Sequence, residues 1–307
     1  MKRFLLVLII FLIPLFVVLV CLEGIARNVP NEYKYKAEWM EQHADSVETL
    51  IFGSSHAFYG IDPKVIGKNT FSMAFTAQIP LQDQFLFHKY INDYKNLKRV
   101  ILVISYFSLF DDGKGERGEN WRNVNYKVYF DAPMFANFSK NSFFIFHPKP
   151  LEEKFLKFLH GNKSLAVDKN GFGYPIFKKK QTHILDKTSA QVWVNLHTVK
   201  NWQGLDENVK YVEKMITDCK KLNVDFIIVT TPTWHTYYER LNQEQLDKMH
   251  EVIHNLQKQY SIKYIDMMKD PRFNEKDFTD CNHMSCVGAQ KLSAILKDSI
   301  CVKTIDN

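Results

Sequence analysis

Two short stretches far apart in the chain contain the residue types that nucleophilic catalysis requires. The first, IFGSSHAFYG at 51–60, ends an apolar run with a glycine and two serines. The second, FTDCNHMSCVGAQKL at 278–292, places an aspartate three residues before a histidine. A serine hydroxyl is a weak nucleophile until a nearby base removes its proton. An imidazole serves as that base when a carboxylate on its other ring nitrogen fixes the tautomer and stabilises the imidazolium.

The predicted catalytic residues are Ser55, His283 and Asp280. One turn can present both Asp280 and His283, while the serine must come from the end of a strand. Two alternatives stay open: Ser54 is an alternative nucleophile, and Asp266 is a second candidate acid. A tight turn that needs small side chains would also explain the serines, and an Asp-x-x-His alone is a weak motif. The chain order of the two stretches favours the catalytic interpretation.

Side chains beside the two stretches are candidate substrate contacts. His56 follows Ser55 directly, and adjacent side chains in such a turn diverge, so His56 is expected to line the pocket or to pack below it rather than act as the base. The stretch TTPTWHTYYERL at 230–241 follows a strand that should end at the same edge of the sheet. It supplies three further candidates: Trp234, His235 and Tyr237. An aromatic cluster after a proline is equally typical of packing, and both interpretations stay open.

Strands and helices alternate on both sides of the middle of the chain. Buried strands are predicted from apolar, β-branched composition at 47–53, 100–105, 224–232 and 262–267. Helices are predicted at 207–224, 242–260 and 286–300. This alternation predicts an α/β fold with a parallel sheet flanked by helices. Ligands bind at the carboxyl edge of such a sheet, which is where Ser55 would lie after its strand.

The middle of the chain, residues 111–205, differs in charge from the rest. It contains 15 of the 40 Lys+Arg and 9 of the 34 Asp+Glu residues, a net charge of +6 that equals the formal net charge of the whole chain. It also contains three of the five tryptophans: Trp121, Trp193 and Trp202. We interpret this segment as an insertion or cap on the α/β core. Its basic character is typical of a solvated face; the functional alternative is contact with lipid headgroups or an acidic glycan.

The N-terminal part of the chain has the composition of a membrane span. Residues 4–22 carry no charge and follow Lys2 and Arg3. About 20 apolar helical residues cross a bilayer, and basic residues in front favour a cytoplasmic N-terminus. We predict a single-pass signal-anchor in a bacterial inner membrane at 1–22, a tether at 23–45 and an extracytoplasmic domain at 46–307. A cleaved signal peptide is the alternative, although the run lacks small residues at the required spacing.

Cysteine and histidine spacing limits the kinds of site to expect. Cys281 and Cys286 are close enough in sequence to pair outside the membrane, although spacing does not establish connectivity. The sequence has no Cys-x-x-Cys pair and no Cys/His zinc spacing. No metal site and no cofactor are therefore expected. The aromatic content and the extracytoplasmic setting predict no nucleic-acid partner.

The two stretches resemble conserved blocks of the SGNH/GDSL hydrolase superfamily. That family has a Gly-x-Ser after its first strand and an Asp-x-x-His near its C-terminus, which correspond here to residues 53–55 and 280–283. The MSCVGA that follows also resembles the family. The resemblance covers roughly residues 46–110 and 206–300. It implies a three-layer, flavodoxin-like fold with Ser55 as the nucleophile.

Two other blocks depart from the family pattern. In FSMAFTAQIP, 71–80, Ala77 stands where the family has a glycine whose N–H enters the oxyanion hole. Alanine can also donate its N–H, so the predicted hole is formed by the backbone of Ser55 and Ala77. The third block, VISYFSLF at 103–110, lacks the family's asparagine. One missing donor can cost roughly 3 kcal/mol of transition-state stabilisation.

The pattern is similar to a membrane-anchored branch of the superfamily that acts on cell-envelope polymers. It implies an esterase or O-acyltransferase that forms an acyl-enzyme at Ser55 with acyl groups of cell-surface polysaccharide. A multispanning membrane acyltransferase is the implied partner. The middle segment would then act as a lid whose exclusion of water favours transfer. The alternative is a non-catalytic glycan-binding or assembly module, which the missing asparagine favours.

Overall fold

The computed structural model describes residues 2–113, 120–132, 144–161, 165–173 and 185–301 of the 307-residue chain. These residues form two compact units. The first unit comprises Met1–Ala37 and Asn120–Leu165, and the second comprises Glu38–Glu119 and Ala166–Asn307. The predicted insertion at 111–205 thus contributes residues to both units, and parts of it lie outside the described residues. The predicted domain boundaries stay predictions.

The second unit is built around one parallel sheet. Its five strands are β1 (Thr49–Gly53), β2 (Thr70–Ser72), β3 (Arg99–Val103), β4 (Asp225–Thr230) and β5 (Lys263–Asp266). All neighbouring strands are parallel, in the order β2-β1-β3-β4-β5. This is the flavodoxin-like order, in which the direction of winding reverses between β1 and β3. The sequence predicts four of these strands but not β2, because three residues are too few to show a strand pattern.

The described part of the chain contains twelve α-helices. They are α1 (Lys2–Asn28), α2 (Glu32–His43), α3 (Ser55–Gly60), α4 (Pro63–Ile66), α5 (Pro80–Lys89), α6 (Asn123–Phe130), α7 (Pro148–Leu159), α8 (Lys187–His197), α9 (Leu205–Lys221), α10 (His235–Tyr238), α11 (Gln243–Tyr260) and α12 (Cys286–Cys301). The three predicted helices correspond to α9, α11 and α12. The prediction of an α/β fold with a parallel sheet flanked by helices is therefore confirmed.

The core of the second unit lies on the central strands. Ile51, Ile101 and Ile228 are fully buried, as expected for strands covered on both faces. On α9, Met215 and Cys219 are also fully buried, while charged residues such as Lys221 are exposed. This helical spacing places one apolar face of α9 toward the interior.

The first unit contains one helix, α1, that is long and apolar enough to cross a membrane. A membrane anchor and a signal sequence both have this character. The apolar side chains between Phe4 and Val20 are largely exposed. The helix continues through Pro14 without a break. The helix ends at Asn28, and α2 begins at Glu32, so much of the predicted tether is helical.

No disulfide bond is formed by Cys21, Cys219, Cys281 or Cys286. Cys219 and Cys281 are buried, while Cys21 and Cys286 are exposed. Cys281 and Cys286 are therefore not joined by a disulfide, although their spacing in the sequence would allow one.

A buried carboxylate fixes the end of β1. Asp83, on α5, accepts hydrogen bonds from the backbone N–H of Gly53 at 2.9 Å and from the side-chain amide of Gln78 at 2.5 Å. Burial raises the pKa of Asp83 to about 7, although both hydrogen bonds oppose the shift. The folded state therefore binds a proton that the unfolded state releases near pH 4. The protonated Asp83 therefore contributes to the free energy of unfolding. This contribution is complete below the pKa that Asp83 has in the unfolded chain, and it is lost as the pH rises to about 7.

We predict that Asp83→Asn stabilises the fold at pH 8 and leaves its stability nearly unchanged at pH 4. The amide can still accept from Gly53, but it cannot ionise. At about 1.4 kcal/mol per pH unit, the gain at pH 8 is at most about 4 kcal/mol. Denaturant unfolding from pH 4 to pH 8 measures it, with the exposed Asp225→Asn as the matched control. A constant difference between Asp83→Asn and wild type at every pH would contradict the assignment.

Candidate active site

The nucleophile candidate lies at a turn that glycine makes feasible. Gly53 ends β1 with a φ of 125°, which L-residues rarely adopt. A Cβ atom at Gly53 would lie 2.7 Å from the carbonyl oxygen of Val103 on β3, so the close approach of the two strands also requires glycine. Ser54 then caps α3, since its side chain accepts from the N–H of His56. Ser55 is the first residue of α3, next to the point where the sheet reverses its winding.

Ser54 and Ser55 have different surroundings. The Ser54 hydroxyl is fully buried and lies 2.9 Å from the hydroxyl of Ser105, two residues beyond β3. The Ser55 side chain faces His283 instead. The structure thus gives Ser54 a structural contact and Ser55 an acid–base partner, which favours Ser55 over Ser54 as the nucleophile.

The side chain of Ser55 meets those of Asp280 and His283, more than 200 residues later in the chain, in one hydrogen-bonded row. The Oγ atom of Ser55 lies 2.8 Å from Nε2 of His283. The other ring nitrogen, Nδ1, lies 2.9 Å from Oδ2 and 3.1 Å from Oδ1 of Asp280. These distances are within the reach of a positioned base.

The loop that carries Asp280 and His283 is held by its own backbone. Oδ1 of Asp280 accepts from the N–H groups of Asn282 at 3.0 Å and His283 at 2.8 Å. The N–H of Thr279 donates to the carbonyl of His283 at 2.9 Å. The N–H of Trp234 donates to the carbonyl of Cys281 at 2.8 Å. The carboxylate and the ring are thus oriented before any substrate binds.

The charge of Asp280 is stabilised despite its burial. Burial raises the pKa of this carboxyl, but attraction to His283 and hydrogen bonds from the His283 ring and two backbone N–H groups outweigh burial and lower it overall. An ionised carboxylate can only accept hydrogen bonds. Nδ1 of His283 therefore carries a proton, and in the neutral imidazole Nε2 then presents its lone pair to the hydroxyl of Ser55. This tautomer is the one that a general base requires.

The predicted oxyanion donors are two backbone N–H groups. These are the N–H groups of Ser55 and Ala77, and neither has an acceptor among the described residues. Ala77 has a φ of 58°, in the left-handed region that favours the glycine usually found in the family pattern. Ala77 is partly exposed. The shared role of these two groups stays a prediction.

Aromatic rings surround His283. The rings of His56, Tyr59 and Trp193 meet it edge to face, with centroids at 5.2, 5.9 and 5.4 Å. His56 thus lies beside His283 but is almost fully buried, and its contact with a substrate stays a prediction. The sequence interpretation missed Tyr59 and placed Trp193 only in a general cap. The signal for Trp193 was its spacing of four residues from His197, which puts both on one side of a helix.

His197 links α8 to the rest of the second unit. Its Nδ1 lies 2.7 Å from the hydroxyl of Tyr237, and its ring lies 4.4 Å from that of Phe107. Its carbonyl accepts from the side-chain amide of Gln245 at 3.1 Å. These contacts fix α8, and with it Trp193, beside the catalytic residues.

The three aromatic candidates after β4 occupy different surroundings. Tyr237 is fully buried against His197 and contacts protein rather than solvent. His235 is exposed and lies 3.4 Å from Glu239. Trp234 is partly exposed and packs on Phe278. Their contact with a substrate stays a prediction.

The alternative acid, Asp266, pairs with a different histidine. Asp266, at the end of β5, lies 3.1 Å from Nε2 of His250 and accepts from the N–H of Met268. His283 is paired with Asp280. The geometry therefore favours Asp280 as the partner of the base.

Comparisons with known proteins give distant similarities. A family model described as "Protein of unknown function (DUF1574)" matches residues 175–297, which is less than half of the chain. The comparison with curated proteins found no match.

Three solved structures resemble the chain. A protein from Streptococcus pneumonia, provisionally described as a platelet activating factor, has a TM-score of 0.45 and 12% identity over 95% of this chain and 98% of its own. A GDSL-like lipase from Bacteroides thetaiotaomicron has a TM-score of 0.43 and 11% identity over 88% and 98%. A protein from Bacteroides fragilis, provisionally described as an acylhydrolase, has a TM-score of 0.41 and 9% identity over 85% and 95%. At these values the similarity carries no argument about activity, which rests on the site itself.

Proposed function

We propose that the protein is a serine-dependent esterase or O-acyltransferase that uses Ser55, His283 and Asp280. The observation that carries the proposal is the 2.8 Å contact between Oγ of Ser55 and Nε2 of a histidine whose other nitrogen faces a buried carboxylate. The resemblance of the two sequence stretches to SGNH/GDSL hydrolases supports the same reaction class. The substrate would be an acyl ester.

The proposed reaction begins at the ester carbonyl. Nε2 of His283 takes the proton of Ser55 while Oγ attacks the carbonyl carbon, and the carbonyl oxygen becomes an oxyanion. The backbone N–H groups of Ser55 and Ala77 are the proposed donors to that oxyanion. The tetrahedral intermediate collapses, His283 gives its proton to the leaving alcohol oxygen, and the acyl group remains on Ser55.

The second half-reaction decides between hydrolysis and transfer. Water or a sugar hydroxyl attacks the acyl-serine carbonyl, and His283 takes its proton and returns it to Ser55. Asp280 stays ionised and stabilises the imidazolium in both halves. The rings of Trp193 and Tyr59 beside His283 supply apolar surface against which a sugar ring can pack. We propose a cell-envelope polysaccharide as the acyl donor or acceptor, with a multispanning membrane acyltransferase as partner.

A non-catalytic glycan-binding or assembly module is the second candidate. The observation that favours it is the absence of the family's asparagine after β3. Ser105 lies just after β3 instead, and its hydroxyl is hydrogen-bonded to the hydroxyl of Ser54. An assembly module would keep the fold and bind polysaccharide without turnover, so measurable ester cleavage separates the two candidates.

We propose that α1 anchors the protein in a bacterial inner membrane with the second unit outside the cytoplasm. Lys2 and Arg3 precede the apolar run, which supports this orientation. An alkaline phosphatase domain fused after residue 307 is therefore expected to be active, because it folds only outside the cytoplasm. A fusion to a reporter that works only in the cytoplasm is the control, and activity of that reporter alone would reverse the orientation.

The kinetic prediction concerns the three residues as one unit. Ser55→Ala and His283→Ala should each lower kcat for a small activated ester by a factor on the order of 10⁶, since either change removes the nucleophile or its base. The double variant should be little worse than either single variant. Asp280→Asn should lose less, on the order of 10⁴, because it disturbs the tautomer without removing a reacting group.

Hydrolysis of p-nitrophenyl acetate by the purified full-length protein measures these losses. Ser54→Ala is the matched control, because it removes a neighbouring hydroxyl that contacts Ser105 rather than His283. It should keep most of the activity. Losses that multiply in the double variant, or a larger loss in Ser54→Ala than in Ser55→Ala, would contradict the proposed roles.

A further inference from the structure

The first unit exposes an apolar surface that α1 does not account for. The surface consists of Phe146, which lies just before α7, and of Leu156, Phe158 and Leu159 at the end of α7. Their exposed fractions are 71%, 46%, 52% and 61%. On the same helix, Leu151 packs against a small core formed by Ala26, Val124 and Phe144. We call the four exposed residues the α7 surface. Four exposed large apolar residues within the 14-residue stretch 146–159 indicate an interaction surface.

Two hydrogen bonds join the segment that carries the α7 surface to the end of α1 and to the residues that follow it. The backbone N–H of Ile145 donates to Oε2 of Glu23 at 3.2 Å. The ammonium group of Lys157 donates to the carbonyl of Pro30 at 2.6 Å. Both partners belong to the stretch 23–30, directly after the uncharged run 4–22. A run of that length fills the hydrocarbon core of a bilayer, so residues 23–30 reach the headgroup layer.

A cavity continues the α7 surface toward the membrane span. It has a volume of about 760 Å³ and is lined by Cys21, Gly24 and Ile25 of α1 together with Lys157 and Phe158 of α7. The lining is predominantly apolar, and Asn28 and Lys157 are its polar side chains. The ammonium group of Lys157 is hydrogen-bonded to the carbonyl of Pro30, which also lines the cavity. Long basic side chains at membrane interfaces lay their methylene groups on apolar surface and direct the charged end to a polar group.

We propose that the α7 surface lies in the interface of the same bilayer that α1 spans, with lipid chains against the cavity between the two helices. A helix with one apolar face lies in this layer, with its apolar side chains reaching the boundary between headgroups and acyl chains. Glu152, which is exposed on the same helix, keeps α7 at headgroup depth rather than in the hydrocarbon. The proposal rests on α1 as a membrane span and is independent of the proposed chemistry at Ser55.

The test places an environment-sensitive probe on the α7 surface of the full-length protein. Leu159→Cys and Phe146→Cys are each labelled with a nitrobenzoxadiazole dye, after Cys21, Cys286 and Cys301 are replaced by serine. The protein is reconstituted alone into vesicles of phosphatidylcholine and phosphatidylglycerol. Leu222→Cys and Val287→Cys, at exposed apolar positions of the second unit, are the controls. Leu222 directly follows α9, and Val287 is the second residue of α12. The two controls therefore lie toward opposite edges of the sheet.

The expected result is a blue-shifted emission at both α7 positions. Lipids with a nitroxide on the acyl chain should quench both α7 probes several-fold more strongly than the controls, and iodide in the water should quench them less. Two separate positions guard against one label that disturbs the fold, and an unchanged circular dichroism spectrum verifies each variant. If iodide quenches the α7 probes as strongly as the controls while the nitroxide lipids do not, the α7 surface faces water and the proposal is wrong. If the α7 probes become protected from iodide only after another membrane protein is added, the α7 surface binds a protein partner and the proposal is also wrong.

Discussion

The site depends on one buried negative charge. The carboxylate of Asp280 is 3% exposed, and a buried charge without partners costs several kcal/mol, on the order of the whole stability of a domain. Two backbone N–H groups and the ring of His283 satisfy it. The ring cannot turn away without leaving the charge short of a donor. The same interaction that makes the loop stable therefore fixes which nitrogen of His283 faces Ser55.

The serine is brought to that nitrogen by the topology of the sheet. In this strand order the connections after β1 and β3 leave the sheet on opposite sides, which opens a crevice at the carboxyl edge. Ser55 follows β1 and Ser105 follows β3 at this point. Gly53 permits the tight turn, and Asp83 holds the N–H of Gly53 from α5. The position of the proposed nucleophile is thus determined by backbone contacts, which leave its hydroxyl 2.8 Å from Nε2 of His283.

The features of the site that could be predicted from the sequence are those that depend on residues close together in the chain or on the strand ends of a parallel sheet. Asp280 and His283 are three residues apart, so their pairing needs only a turn, and strand ends of a parallel sheet share one edge. These two facts suffice to bring Ser55 to His283. By contrast, the contacts of Trp193 and Asp83 join helices to the site across the fold, and such contacts are fixed by packing that no short pattern reports. The fully buried position of Tyr237 depends in the same way on His197, forty residues earlier.

The most direct test of the account is a fluorophosphonate probe, which forms a stable bond only with an activated serine. The full-length protein is labelled, digested and analysed by mass spectrometry. The account predicts one adduct, on Ser55, which Ser54→Ala retains and which His283→Ala slows by orders of magnitude. An adduct on Ser54, or labelling of Ser55 at the same rate without His283, would contradict activation of this serine by the histidine.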